Sequence, residues 1–179
     1  RKGRDVQCRR NEVRQGRGAS VDQGFTIARA ALVGYIDTDL DIPVHYLLPA
    51  YMEMKRGGWD ALIGRRAFGR LGGHLLRILM TETYALVVRR YLGFPYRQTE
   101  AGFKFFRKER YEQIRGAVRS RHWSWDPEVM YHCHRQGFRV YEMPITVEHQ
   151  TLRPSNVKVA SDTVGALRNR YRMKKRGRA

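Results

Sequence analysis

The sequence predicts an α/β fold with three layers, in which a mixed, mainly parallel sheet lies between helices. The apolar run at residues 31–36 stops abruptly at a polar loop, as a buried parallel strand does, and residues 60–64 are predicted to form a second buried strand. Segments with helical spacing alternate with these strands along the chain, and such alternation is typical of layered α/β proteins. A chain of 179 residues fits one domain with a sizeable core.

The first half of the chain begins with a glycine turn. Residues 16–19 read as a turn that leads into a short helix over about residues 20–29, before the strand at 31–36. Pro43 lies where the first turn of a helix accepts proline, and residues 44–56 have helical spacing. Gly57 and Gly58 then end this helix, and the strand at 60–64 follows.

The second half contains a loop rich in glycine and arginine over residues 65–73, followed by shorter elements. The predicted order after this loop is a long helix over 74–91, a strand over 99–106, a helix over 110–115, a helix over 127–136 that Gly137 closes, extended segments at 138–142 and 145–148, and a terminal helix with apolar residues at 160, 164, 167 and 171.

Positive charge is concentrated at the two ends of the chain. The net charge is +18; residues 1–20 carry seven basic and two acidic residues, a net of +5, and residues 166–179 carry seven basic and none acidic, a net of +7. Nucleic acid, an anionic membrane surface and plain solvation would each account for such charge. Charge alone does not choose among them.

Cysteine and hydropathy exclude other classes. Cys8 and Cys133 are far apart, which argues against a disulfide framework and favours a reducing compartment. No apolar run reaches the roughly 18 residues of a membrane-spanning helix, so we expect a soluble or peripheral protein. The cluster His132, Cys133 and His134 lacks the further ligands of a zinc site, and an ordinary helix surface is the better interpretation.

The strongest local signal is an acidic cluster after the first strand. In an extended chain, Asp37, Asp39 and Asp41 project to the same side. Carboxylates suit Mg²⁺ or Mn²⁺, which also keep the oxygens of a substrate diphosphate in their coordination shell. The alternative is an Asp-rich turn that caps the helix after Pro43. Ligands of α/β proteins bind at the carboxyl ends of strands, where this cluster lies.

Eight segments of the chain follow a known family pattern in order: 16–19 with Gly24, 35–40 around the DxD motif, 61–66, Arg77 with Thr81, 98–106, 125–128, 137–144 and 153–158. Their order resembles the dolichyl-phosphate glucosyl- and mannosyltransferase branch of family 2 glycosyltransferases. The resemblance covers about residues 11–172.

The resemblance implies a GT-A-like domain that moves a hexose from a nucleotide sugar to a polyprenyl or dolichyl phosphate by inverting displacement. It implies as catalytic residues Asp37, Asp39, Arg66 and Arg77. It places the donor nucleotide at Asp37, Asp39 and Gly18, with Mg²⁺ or Mn²⁺ on Asp39 and Asp41. It places the acceptor phosphate at Arg66, Arg77, Thr81, Arg153 and Gln98.

Three departures from the family pattern matter. The opening strand and the nucleotide-base pocket of the family have no counterpart here, so we interpret residues 1–172 as a partial GT-A domain and expect it to be inactive alone. Gln98 stands where the family has aspartate, and Arg65 where it has serine.

Other interpretations stay open. The acceptor could be a glycan or a protein, or the chain could be a basic nucleic-acid-binding module. The clustered carboxylates argue against nucleic acid because they repel a phosphate backbone. We expect residues 160–179, a basic amphipathic helix and tail, to dock the enzyme on the cytoplasmic face of an anionic membrane. The competing expectation is that this helix packs on the domain core.

Overall fold

A computed structural model describes residues 8–37, 41–67, 95–96, 99, 101–122 and 124–146, and for residues 66 and 67 the backbone only. The predicted helices over 74–91 and about residues 160–171 lie outside the described residues.

The described elements match the predicted order. They are α1 (Arg17–Ile27), β1 (Leu32–Ile36), a 3₁₀ turn (Val44–Tyr46), α2 (Leu47–Arg56), β2 (Ala61–Ala67), β3 (Phe103–Arg107), α3 (Lys108–Arg115), α4 (Trp125–Arg135) and β4 (Val140–Thr146). One prediction is wrong: the two extended segments at 138–142 and 145–148 are a single strand, β4. Pro144 fits within it because β4 pairs only with β2 among the described strands, and an edge strand does not need every N–H.

The four described strands form one mixed sheet in the order β1-β3-β2-β4. Strand β3 is antiparallel to both of its neighbours, whereas β2 and β4 are parallel. Strands β1, β2 and β4 therefore run in the same direction, and β3 alone opposes them. The carboxyl ends of three strands thus meet the beginning of β3 at one edge of the sheet.

Alternate residues of the strands face two separate cores, as the period of two dictates. In β3, Phe106 packs with Phe25 of α1, Tyr111 of α3 and Trp125 of α4. Phe103 packs instead with residues of α2, including Ala50 and Met54. Trp125 is a packing residue of this core, since only 2% of its surface is exposed.

Glycines shape two of the element boundaries. Gly16 has φ of +97° immediately before α1, and Gly137 has φ of +66° between α4 and β4. Both angles lie in the region that favours glycine, and the helix end predicted at Gly137 is confirmed. The turn predicted over residues 16–19 is limited to Gly16, because α1 already begins at Arg17. Within the described residues, no helix combines the length and the apolar character that crossing a membrane requires.

Candidate active site

The first predicted site residue lies at the carboxyl edge of the sheet. Asp37 directly follows β1, and its backbone N–H donates a 2.9 Å hydrogen bond to the carbonyl oxygen of Gly102, just before β3. This bond extends the pairing of β1 with β3 by one residue pair. Backbone pairing therefore fixes the position of the Asp37 backbone, from which the carboxylate projects. The Asp37 side chain remains 33% exposed at the edge.

Gly102 provides the space that this carboxylate occupies. A Cβ atom at position 102 would lie 1.7 Å from Oδ2 of Asp37, far inside van der Waals contact. The close approach therefore requires glycine, and any side chain there would displace the carboxylate. A local backbone feature thus holds an acidic group at the place where α/β folds bind ligands.

Arg17, the first residue of α1, holds the same carboxylate from the side. Its Nη2 atom lies 2.9 Å from Oδ1 of Asp37, and its Nη1 atom lies 2.9 Å from Oδ2 of Asp126. The planar guanidinium group can bind two carboxylates in fixed directions. Arg17 therefore links the partly exposed Asp37 to an aspartate in the interior.

That interior aspartate lies at the beginning of α4 and has three partners. Asp126 is 1% exposed and lies 2.6 Å from the Nζ atom of Lys104, whose side chain is fully buried. Lys104 also donates to the carbonyl oxygen of Ala101 at 2.5 Å and to the hydroxyl of Tyr35 at 3.1 Å. The Tyr35 hydroxyl in turn donates to Oδ1 of Asp126.

We name the five side chains of Arg17, Tyr35, Asp37, Lys104 and Asp126 the charge cluster. It combines two cations with two carboxylates, so the ion pairs balance within it. Burial lowers the pKa of Lys104, and the adjacent Asp126 carboxylate opposes that shift. Burial and Asp126 together raise the pKa of Tyr35 well above its ordinary value of 10.0. Tyr35 is therefore a neutral phenol whose hydroxyl donates a hydrogen bond to the Asp126 carboxylate.

The remaining predicted site residues differ in what the structure describes of them. Asp41 is partly buried beyond the described end of the strand, before the 3₁₀ turn. The backbone of Arg66 lies in β2 opposite Ile145 of β4, near the same edge as Asp37. The predicted site residues outside the described part of the chain are Asp39, Arg77, Thr81, Gln98 and Arg153.

Gly18, predicted to bind the donor, has a packing role in the structure. A Cβ atom at this position would lie 2.4 Å from Cβ and Cγ of Trp125. The glycine therefore lets α1 approach α4 closely, and this approach brings Arg17 within reach of Asp126. The predicted contact of Gly18 with a nucleotide stays a prediction.

The chemistry of the carboxyl edge fits a hard divalent cation. Carboxylate oxygens are the ligands that Mg²⁺ and Mn²⁺ prefer, and Asp37 and Asp41 supply them on either side of residues 38–40. Among the described residues, no three His, Cys, Asp or Glu side chains converge closely enough to bind a metal. Asp39, predicted to be a ligand together with Asp41, lies outside those residues.

Sequence reasoning missed most of the charge cluster. It named Asp37 but gave no site role to Arg17, Tyr35, Lys104 or Asp126. One signal was present: Lys104 stands between Phe103 and Phe105 in a predicted strand whose neighbouring residues are apolar. A lysine in such a position requires a carboxylate partner, because an unpaired buried charge is too costly. The identity of that partner was not readable from the sequence.

Comparison with known proteins gives one informative similarity. No model of a protein family matches the chain. Over 137 residues, 75% of its length, the chain is 34% identical to Glycosyltransferase AglD of Haloferax volcanii. The chain spans only about a fifth of that relative, since the match covers 22% of it. The similarity supports a glycosyltransferase family, and the mixed α/β sheet is consistent with a GT-A-like fold.

Proposed function

We propose that the chain is part of a family 2 glycosyltransferase that moves a hexose from a nucleotide sugar to a polyprenyl phosphate of the dolichyl type. Its similarity to a glycosyltransferase supports glycosyl transfer, which requires a sugar donor and an acceptor. The single observation that carries the proposal is the position of Asp37. Its carboxylate lies at the carboxyl edge of the sheet, cradled by Gly102 and held by Arg17.

We propose a GT-A-like arrangement with three layers for the domain. The two cores that flank the sheet support it, because helices α1, α3 and α4 contribute to one core and α2 contributes to the other. In such folds, a ligand binds outside the carboxyl ends of the strands. The donor would then lie against the edge that carries Asp37.

At the donor side, the acidic cluster would hold the diphosphate through a divalent cation. Asp39 and Asp41 are the proposed ligands, and Asp37 contributes a carboxylate whose position is set by Arg17. When bound, Mg²⁺ or Mn²⁺ supplies positive charge that stabilises the negative charge growing on the departing diphosphate. Of these three carboxylates, the structure describes what holds Asp37: its backbone pairing with Gly102 and its ion pair with Arg17 set its position before the donor arrives.

At the acceptor side, the proposal requires cations rather than a general base. A phosphate is already ionised at neutral pH, so its oxygen attacks the anomeric carbon without loss of a proton, and direct displacement inverts that centre. The acceptor phosphate and the donor diphosphate are both anions, and they must nevertheless approach each other. The residues proposed to hold the acceptor phosphate are Arg66, Arg77, Arg153, Thr81 and Gln98.

The proposed acceptor also sets where the enzyme works. A polyprenyl phosphate stays in the bilayer, so the carboxyl edge of the sheet, which we call the catalytic edge in this proposal, must face the membrane. We place the enzyme at the cytoplasmic leaflet. The net charge of +18, with +7 in residues 166–179, suits attraction to anionic lipid. We propose that residues 160–179 contribute to this attachment.

Replacement of Asp39 by alanine tests the function in the full-length protein that contains this chain. We choose Asp39 rather than Asp37 because loss of Asp37 would also remove the ion pair with Arg17. Asp39→Ala should lower transfer from a nucleotide sugar to polyprenyl phosphate by about 100-fold or more, as loss of charge stabilisation of the leaving group predicts.

The matched control is Glu112→Ala, which removes an exposed carboxylate far along the chain from the acidic cluster. It should retain the parent rate, and chelation of divalent cations should abolish the activity of parent and control alike. Near-normal transfer by Asp39→Ala would refute the metal assignment. Transfer to a glycan or protein, with none to the lipid phosphate, would refute the acceptor.

A further inference from the structure

The solvent side of α2 and of the turn before it carries an apolar stripe. The stripe comprises five side chains, each between 37% and 65% exposed: Val44, Leu47, Leu48, Tyr51 and Met52. Their spacing of three and four residues places the four helical members on an arc of about 140° at 3.6 residues per turn. Scattered single apolar residues are ordinary on a surface, but a contiguous stripe indicates an interaction site.

The stripe lies outside both of the cores that the described residues form. The opposite side of α2 is anchored by Ala50 and Met54, both fully buried. The 3₁₀ turn is anchored by Tyr46, whose hydroxyl accepts a 3.0 Å hydrogen bond from the backbone N–H of Thr146. The helix is therefore held by one side while its other side presents large apolar groups to solvent.

The stripe lies beside the candidate active site. Thr146 is the last residue of β4, so its contact with Tyr46 places the beginning of the stripe at the carboxyl edge of the sheet. Asp37 lies at the same edge, and Asp41 precedes the turn by three residues. Any surface that contacted the stripe would therefore also approach the catalytic edge.

Charge around the stripe favours an anionic partner. Lys55 and Arg56 end α2 and are exposed, whereas its single acidic residue, Glu53, accepts a 2.8 Å hydrogen bond from the indole N–H of Trp59. Apolar side chains flanked by cations are the composition by which interfacial helices bind lipid. Long basic side chains can extend from such a surface to lipid headgroups.

We propose that the apolar stripe docks on an anionic membrane, with Leu48 and Tyr51 at headgroup depth and Lys55 on lipid phosphates. The proposed function gives this docking its purpose, because it would present the catalytic edge to a lipid-linked acceptor. The docking itself involves neither donor nor acceptor. It can therefore be measured on vesicles that contain no polyprenyl phosphate.

The test compares two double variants of the full 179-residue chain on vesicles of phosphatidylcholine and phosphatidylglycerol. Leu48→Asp with Tyr51→Asp alters the stripe. Val13→Asp with Ile27→Asp is the matched control, because it adds the same charge at apolar residues that are 71% and 43% exposed elsewhere. The stripe variant should partition to vesicles at least about tenfold more weakly than the control, since lost apolar burial adds to the shared change in charge.

Salt and truncation separate the stripe from the basic tail. Removal of residues 166–179 should weaken binding mainly at low salt, because exposed charges are screened as ionic strength rises. The stripe variant should lose the part of binding that persists at high salt. Equal partitioning of the stripe variant and its control would overturn the proposal, whatever the outcome of glycosyl-transfer assays.

Two further measurements guard against other occupants of the stripe. A melting temperature well below that of the control would show that the chain itself covers the stripe, and a dimer that the stripe variant dissociates would show a second copy; either result overturns the proposal. A nitroxide spin label is attached to the cysteine of a Met52→Cys variant, in which Cys8→Ser removes the exposed thiol. When vesicles are added, this label should become less accessible to water-soluble paramagnetic relaxation agents. A label that stays as accessible as one at Val13→Cys would contradict membrane contact.

Discussion

The buried ion pair between Lys104 and Asp126 predicts a large loss of stability when the aspartate is replaced by asparagine. Asp126→Asn preserves the shape of the side chain but removes its charge. Lys104 is fully buried, and its hydrogen-bond acceptors would then all be neutral: the Ala101 carbonyl, the Tyr35 hydroxyl and the amide oxygen introduced at position 126. The ammonium group would then be an uncompensated charge in the interior, beside the guanidinium group of Arg17.

The magnitude follows from the burial of both partners, which are 0% and 1% exposed. Breaking a buried pair by removing one charge costs about 3–5 kcal/mol. A domain has about 5–15 kcal/mol of stability in total, so the variant should lose a large part of it. Urea unfolding followed by tryptophan fluorescence measures the free energy of unfolding, since Trp125 lies in the core next to Asp126.

Glu112→Gln is the matched control for this change. It makes the same acid-to-amide replacement in the pair of Glu112 with Arg115, whose partners are 40% and 38% exposed and 3.8 Å apart. Exposed pairs contribute at most about 1 kcal/mol. If Asp126→Asn costs no more than Glu112→Gln, the reasoning from burial is refuted.

A second substitution tests the cause of the loss. Adding Lys104→Met to Asp126→Asn removes the ammonium group that has lost its partner, so the double variant should be more stable than Asp126→Asn alone. The single variant Lys104→Met gives the cost of that change in the parent protein. If the double variant is less stable than Asp126→Asn by this same amount, the unpaired charge is not the cause.

Two further predictions concern α1. Gly18→Ala should lower the free energy of unfolding by about 1–3 kcal/mol, because its methyl group would overlap Trp125; Gly24→Ala, where a Cβ atom meets nothing within 4 Å, should raise it by up to about 1 kcal/mol in the same denaturation assay. Equal effects of the two would contradict the packing argument. Burial raises the pKa of Asp22, but hydrogen bonds from Arg115 and from the Tyr111 hydroxyl outweigh this and leave the pKa below its ordinary 3.8. The carboxylate therefore stabilises the fold fully above about pH 4 and loses this effect as pH falls through the lower folded value. Asp22→Asn should flatten the fall in melting temperature between pH 5 and pH 2, and parallel curves for parent and variant would exclude the linkage.

The sequence by itself determined the order of the described elements, apart from the division of β4 into two segments, and the edge at which to look for the site. Strands and helices carry their own periodicity, and turns carry their own residues, so both are readable from neighbours in the chain. The apolar run before Asp37 predicted β1 correctly, and Gly16 and Gly137 marked real boundaries. The sequence also predicted that Asp37 lies at the carboxyl end of β1, because a buried strand ends where its apolar residues end.

Only the tertiary structure decided which side chains meet. Arg17 and Asp126 are 109 residues apart, and Lys104 and Tyr35 are 69 apart. Periodicity tells which face of a strand is buried, but it carries no information about the element packed against that face. The direction of β3 and the close approach of α1 to α4 at Gly18 bring these residues together. A lysine in a buried strand predicts that some carboxylate pairs with it. The fold alone decides which carboxylate this is, because many in the sequence would satisfy the same chemistry.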